Sequence, residues 1–232
     1  MAPVLQSLGQ WTIVGLALVS SVQATAMPIQ ASVDTTKPDL RLMPLGASIT
    51  MGWLSTDGNG YRKDLFDLLT GDGFNVDMVG SRHDGNMTDN RDEGWYGYRI
   101  KEVEDKAKLS VPQFLPNLFT INAGTNDLPL VRLPRATLIL STLIINLNAT
   151  TEARVEQVNQ VIRSLAKKKQ QEHKRIVLVD MHSSAGPQKT DMADPTHPND
   201  HGYQLMANLW FKGIKEAFSR GFIQHPQTLP SQ

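Results

Sequence analysis

The chain has 232 residues, 40% of them hydrophobic, enough to bury one substantial core. Its 23 Lys and Arg balance 23 Asp and Glu, so charge makes no case for a nucleic-acid partner or an anionic membrane. Cysteine is absent, which excludes a disulfide framework and leaves the core to hold the domain together.

Residues 1–26 contain no Lys, Arg, Asp or Glu, and within them WTIVGLALVSSV is an apolar run of twelve. That is short of the ~20 residues a bilayer span needs. Alanines at 24 and 26 give the small-x-small pattern of a signal-peptidase site, so a signal peptide over 1–26 and secretion are expected, with a membrane anchor as the alternative. The acceptor triplets at Asn86 and Asn148 fit a secreted glycoprotein. A polar leader over 27–39 then precedes the folded domain, expected over 40–220, with a tail over 221–232.

From there strands and helices alternate. LRLMPL (40–45) reads as a buried strand, GYRKDLFDLLTGDG as an amphipathic helix closed by glycines, and NVDMVGS as a second strand. RHDGNMTDNRDEGWYGY reads as a long polar loop before a short helix, RIKEVEDKAKL. NLFTINAG and ATLILSTLIIN (136–146) are the third and fourth strands. TEARVEQVNQVIRSLAKKK sets Val155, Val158, Ile162 and Leu165 on one helical face, and its terminal lysines suit a solvated helix end. RIVLVDM is the fifth strand, and NDHGYQLMANLWFKGIKEAF the closing helix.

Strands apolar on both faces and alternating with helices predict a parallel sheet covered on both sides, with the active site at the carboxyl ends of the strands. One connection is short. Only GTNDLPLVRLPR (124–135) separates the third and fourth strands. A parallel crossover ordinarily takes a dozen or more residues and carries a helix, which two prolines disfavour here. The expected sheet therefore lacks one crossover helix after the GTND turn.

Ser48 follows the first strand in PLGASITMG, and His197 sits in DPTHPND with Asp194 three residues before it. A serine hydroxyl needs a base, and the base needs a group to hold its tautomer; an Asp-x-x-His segment can supply both. Asp194, His197 and His201 are alternatively a metal set, although catalytic zinc takes three protein ligands with an open position and no HExxH is present. DGNMTDNRDE is rich in oxygen ligands but lacks the glycine and glutamate spacing of a calcium loop, leaving a solvated loop as the simpler reading. Trp53, Trp95, Tyr96 and Tyr98 lie near these motifs and are candidates for stacking on sugar rings or for packing.

PLGASITMG, EGWYGYRI, INAGTNDL and DPTHPNDHGY, in this order, resemble the blocks of the SGNH (GDSL-type) hydrolases, and most closely the acetyl xylan esterases of carbohydrate esterase family 3. The resemblance runs from about Leu40 to Phe218. It implies Ser48 as nucleophile, His197 as base and then acid, Asp194 as the residue orienting His197, and Ser48, Gly97 and Asn126 as oxyanion donors. It implies a flavodoxin-like three-layer α/β/α sandwich with a five-stranded, mostly parallel sheet. The implied activity is deacetylation of plant cell-wall polysaccharide, by a monomer and without a cofactor. A small-ester or lipid esterase of the same fold is the alternative substrate class. Two departures stand out: Ala47 replaces the usual Asp before the serine, and the 124–136 connector is short. They favour a third reading, an inactive carbohydrate-contacting relative or a defective gene model.

Overall fold

Strand β1 (Leu40–Gly46) is buried at every position but Arg41, as expected of a strand covered on both faces. It belongs to a computed structural model that describes residues 36–123 and 136–229. The signal-peptide reading, the leader before Thr36 and the connector 124–135 with Asn126 lie outside the described residues.

On one side β1 pairs with β5 (Leu118–Asn122), then follow β6 (Thr137–Ser141) and β7 (Ile176–Val179), all parallel. The other edge of β1 is shared: β2 (Val76–Met78) pairs with Leu40–Leu42 and β4 (Arg91–Gly94) with Leu45 and Gly46. Pro44, which has no N–H to donate, falls between those two partners. The order β2-β1-β5-β6-β7 is that of the expected flavodoxin-like sandwich.

Alternating side chains of each strand face opposite layers. Leu40, Leu42, Leu118, Ile139 and Val177 pack with α2 (Tyr61–Gly71) and α5 (Asp200–Ser219), with Trp210 at the centre of that layer. Met43, Leu45, Phe119, Ile121 and Leu140 pack with α3 (Ile100–Phe114) and α4 (Ala149–Gln171).

The structure corrects three boundaries. The stretch read as a polar loop contains β4 and the two-residue β3 (Arg82–His83), which pair antiparallel and bring the sheet to seven strands among the described residues, where five were expected. These strands carry no apolar alternation because their buried residues are Asp92 and Glu93, held by Arg62 and by Ser81 and Trp95 respectively. The fourth strand stops at Ser141 rather than reaching Asn146. Beyond it, Asn159 of α4 binds both the N–H and the carbonyl of Leu143, taking backbone groups that a neighbouring strand would have used. The third helix runs on to Phe114, with Pro112 in its last turn. The tail is tied down: Asn117 donates to the Gln224 carbonyl and Arg41 to that of Gln227. Among the described residues, no helix is long and apolar enough to cross a membrane.

Candidate active site

Ser48 opens α1 (Ser48–Met51), a single turn set on the carboxyl end of β1. Gly46 is required at the bend, since a Cβ there would lie 2.1 Å from Thr50 Oγ1 and 2.7 Å from the Asn122 carbonyl. Ala47 is the N-cap and offers no side-chain acceptor to the turn. The turn is held from outside. Gly94 of β4 packs so closely that a Cβ would sit 2.4 Å from the Met51 nitrogen. Arg62 of α2, fully buried, donates to the carbonyls of Met51, Gly58 and Asp84 at 2.9, 3.1 and 2.8 Å. It also pairs with buried Asp92 at 3.2 Å. Burial pushes the Asp92 carboxyl up to about 6, against the pull of Arg62.

The opposite arm is the loop before α5. His197 donates its backbone N–H to Asp194 Oδ1 at 2.7 Å, and so does Thr196. The second oxygen, Asp194 Oδ2, lies 2.8 Å from His197 Nδ1, and His197 Nε2 lies 2.9 Å from Ser48 Oγ. Burial raises Asp194, but the bonds from the imidazole and the two amides outweigh it and hold the carboxyl below its ordinary range. An ionised Asp194 only accepts, so the proton sits on Nδ1 and Nε2 presents its lone pair to the Ser48 hydroxyl. The two arms are cross-tied: Tyr203 Oη donates to the Trp53 carbonyl at 2.7 Å, and Thr56 gives two hydrogen bonds to Asp200.

Against this geometry stand the relatives. Residues 128–210 match the family model of the GDSL-like lipase/acylhydrolases, a stretch that includes Asp194 and His197. The fold is that of a family 3 carbohydrate esterase from Clostridium thermocellum, with a TM-score of 0.70 at 24% identity over 80% of this chain and 100% of that one. A family 3 carbohydrate esterase from Talaromyces cellulolyticus superposes with a TM-score of 0.65 at 21% identity, covering 78% and 99%. An acetylxylan esterase from Geobacillus stearothermophilus gives 0.57 at 17%, covering 76% and 94%. A multidomain esterase of Ruminococcus flavefaciens is 25% identical over 267 residues, 94% of this chain and 34% of its own length. The chain therefore spans about a third of that relative.

The remaining candidate residues divide. Gly97 stands in the loop between β4 and α3 with a φ of 74° and open space where a Cβ would go. The aromatic candidates form two pairs. Trp95 stacks on Tyr98, bonds Glu93 through its ring N–H and lies beneath Arg82 and Lys106, all packing roles. Trp53 and Tyr96 meet at 4.7 Å and remain 40% and 55% exposed. His201 turns away from His197 to Asp191, at 2.9 Å, so the structure does not gather Asp194, His197 and His201 on one point. Among the described residues, Glu152, Glu156 and His182 are the ones spaced to share an ion. The oxygens of DGNMTDNRDE are engaged internally: Asp84 by Arg82, Asp89 by the Met78 amide and Asp92 by Arg62. Asn86 is exposed, whereas Asn148 is also the N-cap of α4, accepting from the Thr151 amide at 3.0 Å. Arg62 and Asp92 went unread in the sequence because nothing local marks a buried ion pair.

Proposed function

We propose that this chain is a secreted, monomeric serine esterase that removes acetyl groups from plant cell-wall polysaccharide of the acetyl-xylan type, through an acyl-enzyme at Ser48. The observation that carries the reading is the continuous line from Ser48 Oγ through His197 to Asp194, with links of 2.9 and 2.8 Å. His197 Nε2 takes the hydroxyl proton as Ser48 Oγ attacks the ester carbonyl, and Asp194 stabilises the imidazolium that forms. The tetrahedral oxyanion meets the Ser48 N–H, which as the first of a helix has no acceptor within it. Gly97 and Asn126 are the donors that the family resemblance adds. Collapse expels the alcohol, which receives the proton from His197. Water then repeats the sequence on the acyl-enzyme and releases the carboxylic acid.

The polysaccharide class rests on the substrates named for the structural relatives and on the exposed Trp53–Tyr96 pair, a surface on which a sugar ring can stack. Secretion rests on the apolar amino-terminal run and the acceptor triplets. The test is hydrolysis of an aryl acetate and release of acetate from acetylated xylan, with Ser48→Ala purified alongside. The expected loss in the variant is about 10⁴-fold or more in kcat. Equal rates in both proteins, or none from folded wild type, overturn the reading.

A further inference from the structure

The single helical turn that carries Ser48 also carries Thr50. In a helix of 3.6 residues per turn, two positions on is about 200° round the axis. When Ser48 faces His197, Thr50 therefore faces the sheet, and its side chain is fully buried. Gly46 makes room for it: a Cβ there would meet Thr50 Oγ1 at 2.1 Å and Thr50 Cβ at 3.0 Å. The glycine thus lets a hydroxyl into the layer of α2 and α5, among fully buried apolar side chains such as Leu65, Met206 and Trp210.

A buried hydroxyl is costly unless another polar group answers it. Thr50 Oγ1 makes no close hydrogen bond. What it meets, in a looser contact, is the hydroxyl of Tyr61, the first residue of α2. Tyr61 Oη lies in turn 3.4 Å from Thr120 Oγ1 on β5. All three side chains are buried, and the Tyr61 ring packs on Trp210 with centroids 5.7 Å apart, which leaves the phenol little room to swing. Burial pushes the Tyr61 hydroxyl above its ordinary range, and the contacts with Thr120 and Thr50 offset this only in part. The phenol therefore keeps a hydrogen to donate throughout the neutral range.

We propose that Tyr61 is a positioning residue for Ser48, its hydroxyl fastening the back of the nucleophile turn, through Thr50, to Thr120 of β5. The proposal rests on the ester-hydrolysis reading above. Arg62 and Gly94 hold the Met51 end of the turn, from α2 and β4. A hold at one end leaves the turn free to pivot there. A second hold on the face opposite Ser48 removes that freedom and keeps Ser48 Oγ on His197 Nε2. Tyr61 acts through Thr50 and needs no contact with the substrate.

The experiment measures kcat and KM of the full chain on p-nitrophenyl acetate. It compares wild type with Tyr61→Phe, Thr50→Val, the double variant and Thr50→Ser. A misplacement of about 1 Å at the reacting groups costs about 10²-fold in rate. Tyr61→Phe is therefore expected to lower kcat by about 10- to 100-fold with KM little changed. Thr50→Val should lose a similar factor, and the double variant no more than the larger single loss, because the two hydroxyls form one link. Thr50→Ser keeps the hydroxyl and should keep most of the wild-type kcat; the contrast between the two Thr50 variants decides should Tyr61→Phe not fold. Wild-type kcat in folded Tyr61→Phe, losses that multiply in the double variant, or equal losses in Thr50→Val and Thr50→Ser overturn the positioning role and leave the esterase reading intact. Folded wild type inactive on the ester overturns both.

Discussion

The arm that carries His197 and the arm that carries Ser48 are built on opposite plans. The histidine arm is self-contained: Asp194 alone accepts from two backbone amides and the imidazole, and Ala193 donates back to the His197 carbonyl within the same loop. The serine arm has almost nothing of its own. Its four-residue turn lacks a side-chain cap, and its position is set by Arg62 from α2, Gly94 from β4 and Tyr203 from α5. A short sequence window can therefore specify a histidine and the carboxylate that holds its ring. A serine placed by borrowed contacts reaches its position only once the sheet has formed.

If that contrast is right, damage to the histidine arm should be chemical and damage to the serine arm structural. Asp194→Asn sets an amide against Nδ1 and favours the wrong imidazole tautomer, for an expected loss of about 10⁴-fold in kcat. Thermal unfolding should move little, because the variant keeps an oxygen for the backbone amides of Thr196 and His197. A large loss of stability together with unimpaired kcat would reverse the roles assigned to the two arms.

Gly94→Ala probes the other arm without touching a reacting group. The added methyl would stand 2.4 Å from Met51 N and 2.7 Å from Met51 Cα, backbone atoms with no flexible side chain to give way. The expected cost is about 1–3 kcal/mol of stability, with kcat falling as the Ser48 turn shifts. Urea unfolding beside the aryl-acetate rate checks both; wild-type values for the two would show that β4 does not hold the turn.

Asp92 supplies a test in pH. Its folded value near 6 lies above the ordinary ~3.9, so between those limits the folded chain holds a proton that the unfolded chain has released. The stability it contributes is therefore fullest below about pH 4 and declines as pH rises through 6, by about 3 kcal/mol in all. Asp180 and Asp194 act in the opposite sense. Their folded values are lowered, so their contribution is present above the ordinary carboxylate range and lost as pH falls through the folded values. Asp92→Asn removes only the first effect, and the gap between wild type and variant should narrow by about 3 kcal/mol from pH 4 to pH 7. Parallel stability curves over that range, from urea titrations, would mean that burial does not control this carboxyl.

Much of the scaffold was legible because its elements are built from apolar repetition. β1, β5 and β7 are near-continuous hydrophobic runs, and α4 and α5 keep helical spacing. What escaped reading is built from polar residues that become interior only through partners. β4 is RDEG, a strand whose buried positions are two paired carboxylates. The apolar run after β6 did continue inward, with Ile144 4% exposed, but Asn159 had taken the backbone bonds that would have made it strand. The aromatic residues could not be sorted from sequence, since Trp95 is committed to packing by Glu93, Arg82 and Lys106, none of which is a near copy of a motif. Asn148 did carry a second signal, an Asn just before a helical pattern with Glu152 in its first turn, which marks a helix N-cap.

Ala47→Asp is the smallest of these perturbations and the one that sharpens the contrast most. A carboxylate at this N-cap can accept from the amide of Ile49 or Thr50, giving the Ser48 turn a local hold of the kind Asp194 gives the histidine loop. The expected gain is about 1 kcal/mol in urea unfolding. Stability should rise while the aryl-acetate rate is kept. No gain at all would mean that Arg62 and Gly94 already hold the turn as firmly as a cap can.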